Sequence, residues 1–126
     1  MKEIILFLSL IMTSSNAFAD AQYDQCIDAA GSTNQGFAKC GGDWIARADA
    51  ALNKVWKELY SDSSRQTKID LLAEQRLWNE YKESSCKFLD SGDFGREGQV
   101  IHFPICRAGV IEERTDRLQR YRSPQE

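Results

Sequence analysis

The stretch Trp44-Ile45-Ala46-Arg47-Ala48-Asp49-Ala50-Ala51-Leu52-Asn53-Lys54-Val55-Trp56-Lys57-Glu58-Leu59 decides the fold. Trp44, Ile45, Ala48, Ala51, Leu52, Val55, Trp56 and Leu59 recur at steps of three and four, which makes one wide side of an α-helix. Nothing in the chain alternates apolar and polar residues over a useful strand length, so this stripe must pack on other helices. Upstream, Phe37 and Cys40 continue in phase with Trp44, and Thr33 is suited to cap the helix start. The spacing therefore predicts one helix from about Asn34 to Tyr60. Gly41-Gly42 is its weak point, since each glycine costs up to about 1 kcal/mol relative to alanine in a helix. A break at the pair, with Asp43 as the true cap, is the alternative.

Three further helices follow from the same logic. A short one, about Tyr23 to Ala30, puts Tyr23, Cys26, Ile27 and Ala30 on one face before Gly31 ends it. Ser63-Ser64-Arg65-Gln66 has the form of a capping box and opens a helix from about Ser64 to Phe88. On that helix Ile69, Ala73, Leu77, Trp78, Tyr81 and Phe88 share one broad side, with Asp70 and Glu74 inside the same arc and in need of a partner or water. Asp90 to Pro104 contains Gly92, Gly95 and Gly98 without helical period and reads as an exposed loop. Pro104 suits the first turn of a last helix reaching about Arg122, with Cys106, Val110, Leu118 and Tyr121 inward. Arg117, Arg120 and Arg122 lie near its carboxyl end, where the backbone dipole favours cations, and read as surface charge. The expected fold is all-α: a small bundle of two long antiparallel helices plus a short N-terminal and a C-terminal helix.

The 126 residues carry 16 Lys and Arg against 19 Asp and Glu, a net charge of −3. That balance argues against nucleic-acid binding, which favours basic domains. The chain opens with Lys2, an apolar run from Ile4 to Met12, polar Thr13 to Asn16 and a small-x-small end at Ala17-Phe18-Ala19. This is the pattern of a signal peptide over residues 1–19, cleaved before Asp20, and the run is too short for the roughly 20 residues a membrane helix needs. The expectation is one domain, residues 20–126, periplasmic or secreted and without a membrane anchor.

Export makes Cys26, Cys40, Cys86 and Cys106 readable as two disulfides. Three pairings are open. Cys26 with Cys40 and Cys86 with Cys106 is preferred because each closes a local segment, with Cys40 to Cys86 as the runner-up. Each bridge would contribute roughly 3 kcal/mol. The lack of a C-x-x-C pair and the single histidine, His102, argue against a metal site, and no cofactor is expected. No motif of an enzyme is present either, so catalysis is not expected.

Cys26 and Cys40, then Asp49-Ala50-Ala51-Leu52-Asn53 with Trp56, then Gln75-Arg76-Leu77-Trp78-Asn79-Glu80-Tyr81-Lys82 leading to Cys86, and Cys106 with Arg114-Thr115 and Leu118 together resemble the lysozyme inhibitor LprI-like family of small bacterial envelope proteins. The resemblance covers essentially all of residues 20–126. It departs in two places: the family tends to have a Gly-Gly-Ser-type turn between its last two cysteines, where this chain has Ser91 to Gly98, and Gly41-Gly42 interrupts a usually plain helix. It implies an exported, disulfide-linked helical protein that acts by binding another protein, with inhibition of lysozyme or a related wall-cleaving hydrolase as the leading activity. The alternative is a structural or interaction module of the envelope, including an immunity-type binder, that does not inhibit lysozyme.

Two groups of residues stand out against this background. Asp49 and Asn53 flank the apolar stripe and Arg114 falls on the inward side of the last helix, so a structural polar clasp of Asp49 or Asn53 with Arg114 or Arg76 is favoured over a ligand site. An inhibitor must fill the lysozyme cleft and offer donors or a cation to its carboxylates. The segment between Cys86 and Cys106 is the candidate for that role, with Lys87, Arg96 and His102 as donors and Phe94 as apolar filler. Trp44, Trp56, Trp78 and Tyr81 lie at core spacings and read as packing rather than a sugar platform.

Overall fold

A computed structural model describes residues 20–123; the expected export signal lies outside the described residues. Four principal helices form the body: α1 (Ala21–Ala30), α2 (Asn34–Ser61), α3 (Arg65–Ser84) and α5 (Phe103–Arg122). Short turns join the last two: 3-10 turns at Lys87–Asp90 and Gly92–Phe94, the single-turn α4 (Gly95–Glu97) and a π-helical turn at Gly98–His102. The architecture is thus an all-α, disulfide-linked bundle, as the residue spacing predicts. No strand occurs among the described residues.

The apolar stripe of α2 builds the centre. Trp44, Ala48, Leu52, Val55 and Leu59 are buried, and Ile45 and Trp56 are half-buried beside them. They pack on α5, whose inward residues are Pro104, Ala108, Ile111, Arg114 and Leu118. At roughly 1.5–3 kcal/mol for each large side chain buried, this seam is the main apolar stabilisation. The two helices run parallel: Gly41 lies against Pro104, Trp44 Nε1 donates to Glu112 Oε1 at 2.6 Å, and Glu58 pairs with Arg122. Ala51 is exposed, contrary to the sequence expectation, because it stands at the edge of the stripe.

Thr33 caps α2 by accepting from the Gly36 amide at 3.0 Å. Asp20 caps α1, accepting from the Tyr23 amide at 2.7 Å, and also receives Arg47 of α2 at 2.6 Å. Tyr23 packs on Trp44 with ring centroids 5.2 Å apart. The Cys26–Cys40 disulfide then fastens α1 to the start of α2.

α2 is unbroken at Gly41-Gly42. A Cβ on Gly41 would stand 2.5 Å from the Pro104 Cβ, so this glycine exists to let α5 approach. Gly42 is exposed and faces open space.

α3 departs most from expectation. Ser64, not Ser63, caps it, accepting weakly from the Thr67 amide at 3.4 Å. Ser63 instead donates to the Leu59 carbonyl at the end of α2, and Gln66 donates to Asp70 rather than reaching back to the cap. The helix stops at Ser84, because Cys86 turns left-handed at φ 69°. Its inward face is Leu71, Glu74, Gln75 and Trp78, whereas Ile69, Leu77, Tyr81 and Phe88 are exposed, Leu77 at 67%. The apolar residues of α3 thus occupy two faces, and only the Leu71 side is taken up. On α5, Cys106 and Val110 are half-buried and Tyr121 is exposed; the buried positions are those named above.

Residues 90–104 are exposed at Asp90 and from Gly92 to Glu97, as expected, but they wind through consecutive short turns and pack inward from Gly98 on. Gly98 is buried so closely under Leu89 and Phe94 that a Cβ there would overlap both, and Val100 is buried beside it. The glycine serves close packing within consecutive tight turns.

The adjacent glycines of α2 should respond with opposite sign. Gly41→Ala lowers stability by about 1–3 kcal/mol through the clash with Pro104, whereas Gly42→Ala raises it by up to about 1 kcal/mol through helix propensity. Urea unfolding of the two variants measures both.

Candidate functional site

Arg114 shares the inward phase of Ala108, Ile111 and Leu118, so its guanidinium is carried into the interior and is only 4% exposed. A charge there requires partners. Arg114 Nη1 donates to Glu74 Oε1 at 2.5 Å, while Nε and Nη2 both donate to Gln75 Oε1, at 3.0 and 2.9 Å. Tyr121 Oη adds a bond to Glu74 at 2.9 Å, and the guanidinium lies 5.8 Å from the Trp78 ring centroid. Burial pushes the Glu74 carboxyl up, but the hydrogen bonds from Arg114 and Tyr121 and the charges of Arg114 and Arg117 outweigh it and hold the group below the usual carboxylate range.

This is the polar clasp, with partners other than those expected. Asn53 and Arg76 are exposed and Asp49 is half-buried; none of the three bonds Arg114. The reason is helical phase on α3: Glu74 and Gln75 stand on the face that meets Arg114, whereas Arg76, one residue further, is exposed. The acid within the apolar arc of α3 was the available signal for Glu74; nothing in the sequence marked Gln75.

Arg107 is a second anchor that the sequence did not flag. Its Nη2 donates to the Glu83 and Ser85 carbonyls at 3.3 Å each, closing the end of α3, and its guanidinium lies 4.9 Å from the Phe103 ring centroid. Beside it the second bridge joins Cys86 to Cys106. Clasp, arginine and disulfide together hold α3 antiparallel to α5.

The disulfide closes the segment bearing the partner-binding candidates. Lys87, Phe94, Arg96 and His102 are all exposed. Phe94, 46% exposed, meets the edge of Phe88, itself 62% exposed, with centroids 5.7 Å apart. Gly95 between Phe94 and Arg96 has φ 62°, the left-handed turn that glycine permits. Arg96 Nη1 donates to Gln99 at 3.0 Å. Phe94 therefore pairs on the surface with Phe88, which the sequence had assigned to the inward side of α3, and the exposed Lys87 precedes Phe88 in the chain. His102 lines a different feature, a groove of about 480 Å³ with Tyr81, Leu89, Ile105 and Val110. Trp44 is packed in the core, Trp56 stacks on Tyr60, Trp78 has Arg114 and Lys82 over its ring, and Tyr81 is exposed. Among the described residues no group of His, Cys, Asp or Glu is placed to hold a metal ion.

Two measurements check the clasp. Arg114→Ala should cost about 2–3 kcal/mol, less than breaking a fully buried pair because the Glu74 side chain, 42% exposed, can rehydrate. Arg76→Ala and Asn53→Ala, on exposed residues, should stay within about 0.5 kcal/mol. The Glu74 carboxyl contributes stability above the unfolded value of about 4.3, and loses it as pH falls through its lower folded value. Wild type should therefore shed up to about 1 kcal/mol below pH 5 that Glu74→Gln does not, a small component because the pair is partly exposed.

No curated protein and no solved structure matches the chain. The sequence profile described as lysozyme inhibitor LprI matches residues 26–118, from the first cysteine to the last buried leucine of α5. With both bridges, the α2 core stripe and the Arg114 clasp inside that span, the chain belongs to the lysozyme inhibitor LprI family.

Proposed function

We propose that the protein is exported on the signal at residues 1–19 and inhibits lysozyme or a related wall-cleaving hydrolase with its disulfide-closed segment. The observation that carries this reading is the Phe88–Phe94 pair, exposed on a segment tied down by Cys86–Cys106. The pair is apolar filler for a cleft, and Lys87 and Arg96 beside it are cations for the carboxylates that do the chemistry there. Consecutive short turns and the close packing of Gly98 against Leu89 and Phe94 restrict this segment, which would lower the ordering entropy lost on association. The family's description as lysozyme inhibitors favours lysozyme as the target. The fold's acidity, −3 overall, aids encounter with a basic enzyme only weakly. The protein then acts by occupancy, without catalysis of its own.

Material recovered from the exported fraction should begin at Asp20 by N-terminal sequencing. In a turbidity assay of wall lysis, this material at micromolar excess should slow lysozyme. Phe94→Ala and Arg96→Ala should each weaken inhibition by about tenfold or more, the size of a well-placed interface contact, with unchanged melting temperature. Absence of slowing across lysozyme types would favour an interaction module of the envelope instead.

A further inference from the structure

We propose that the trough between α3 and α5 is a separate binding site, for an amphipathic acidic peptide segment of a protein partner. At one end, about 350 Å³ of open space is bounded by Trp78 and Tyr81 on α3 and by Arg114, Arg117 and Arg120 on α5. The groove of about 480 Å³ described above continues from it, sharing Tyr81, Val110 and Glu113, and is lined further by Leu89 and Ile105.

The trough follows from how α3 is held. The clasp, Arg107 and the disulfide fix α3 at intervals along α5, and between them α5 carries Gly109, which has nothing within 4 Å of where a side chain would begin. Space remains where a larger residue would have filled the seam.

Its polarity selects the ligand. Arg114 is already satisfied by Glu74 and Gln75, but Arg117 and Arg120 form no ion pair among the described residues. They lie one turn apart on the face that fronts Tyr81, which is 58% exposed. A carboxylate at that end gains two cations. Glu113, midway, repels acid there, and the far end, where Leu89, Ile105 and Val110 outweigh Ser85 and His102 at its margin, asks for apolar side chains. From Ile105 to Arg120 the helix rises about 22 Å, the reach of six or seven extended residues at about 3.3 Å each.

Other occupants fit less well. The ring of Trp78 already has Lys82 at 5.6 Å and Arg114 at 5.8 Å, which leaves it a poor platform for a sugar. The trough is open along its length, so an alkyl chain would stay half in water, whereas a protein segment is covered by the rest of its own surface.

Fluorescence anisotropy with the exported protein tests this. The probes are fluorescein-labelled heptapeptides with glutamates at one end and leucines at the other, made in both orders. One order should bind, and its glutamine version should not. Arg117→Gln with Arg120→Gln should raise the dissociation constant at least about tenfold, equivalent to about 1.4 kcal/mol, and Gly109→Leu should do the same by filling the apolar end. Thermal melting should show both variants folded. Phe94→Ala should leave peptide binding intact, so the lysis assay and this one fail independently. Three outcomes would overturn the proposal: no binding of either order at millimolar protein, binding unaltered in both folded variants, or displacement by decanoate or inorganic phosphate as effective as by unlabelled peptide.

Discussion

A single guanidinium carried into the interior by the phase of α5 sets the terms for the rest of the molecule. Once Arg114 follows Ala108 and Ile111 inward, α3 must supply a carboxylate and an amide to meet it. A salt bridge of this kind is weak as a source of stability but strong as a constraint, because any other register leaves a charge unpaired out of water. The consequence is a helix fastened by polar contacts rather than by apolar area. Only Leu71 of α3 is buried, and Ile69, Leu77 and Tyr81 face outward.

The contrasting interface is the α2–α5 seam, where apolar burial dominates and the backbones come close. Gly41 and Pro104 set the distance at its start, and Glu58 with Arg122 ties its far end. This half of the molecule is built as a conventional core. The α3 half is held at points and open between them, with groove space left along its contact with α5.

The segment after α3 shows the same economy. Cys86 reverses the chain in a left-handed turn, the bridge to Cys106 fixes the other end, and consecutive tight turns wind between them. Gly98 and Val100 face the body while Phe88 and Phe94 face solvent. The exposed aromatic pair is the part of this segment that the proposed inhibition would use.

The residue pattern by itself determined the all-α class, the α2 stripe and the Thr33 cap, because these depend on a local period and a local hydrogen bond. It also determined that Arg114 would be inward and need a partner. Which partner it took was decided by tertiary structure, since Glu74 and Gln75 reach it only through the angle at which α3 meets α5. The face of α3 was undecidable locally for the same reason: its apolar residues lie on two sides, and the stripe alone does not say which side finds a neighbour. Glycines made the last difference. Gly41 and Gly98 look like breaks in a one-dimensional reading, but each marks a place where another part of the chain comes too close for a side chain, a fact about distance in space that no spacing along the sequence contains.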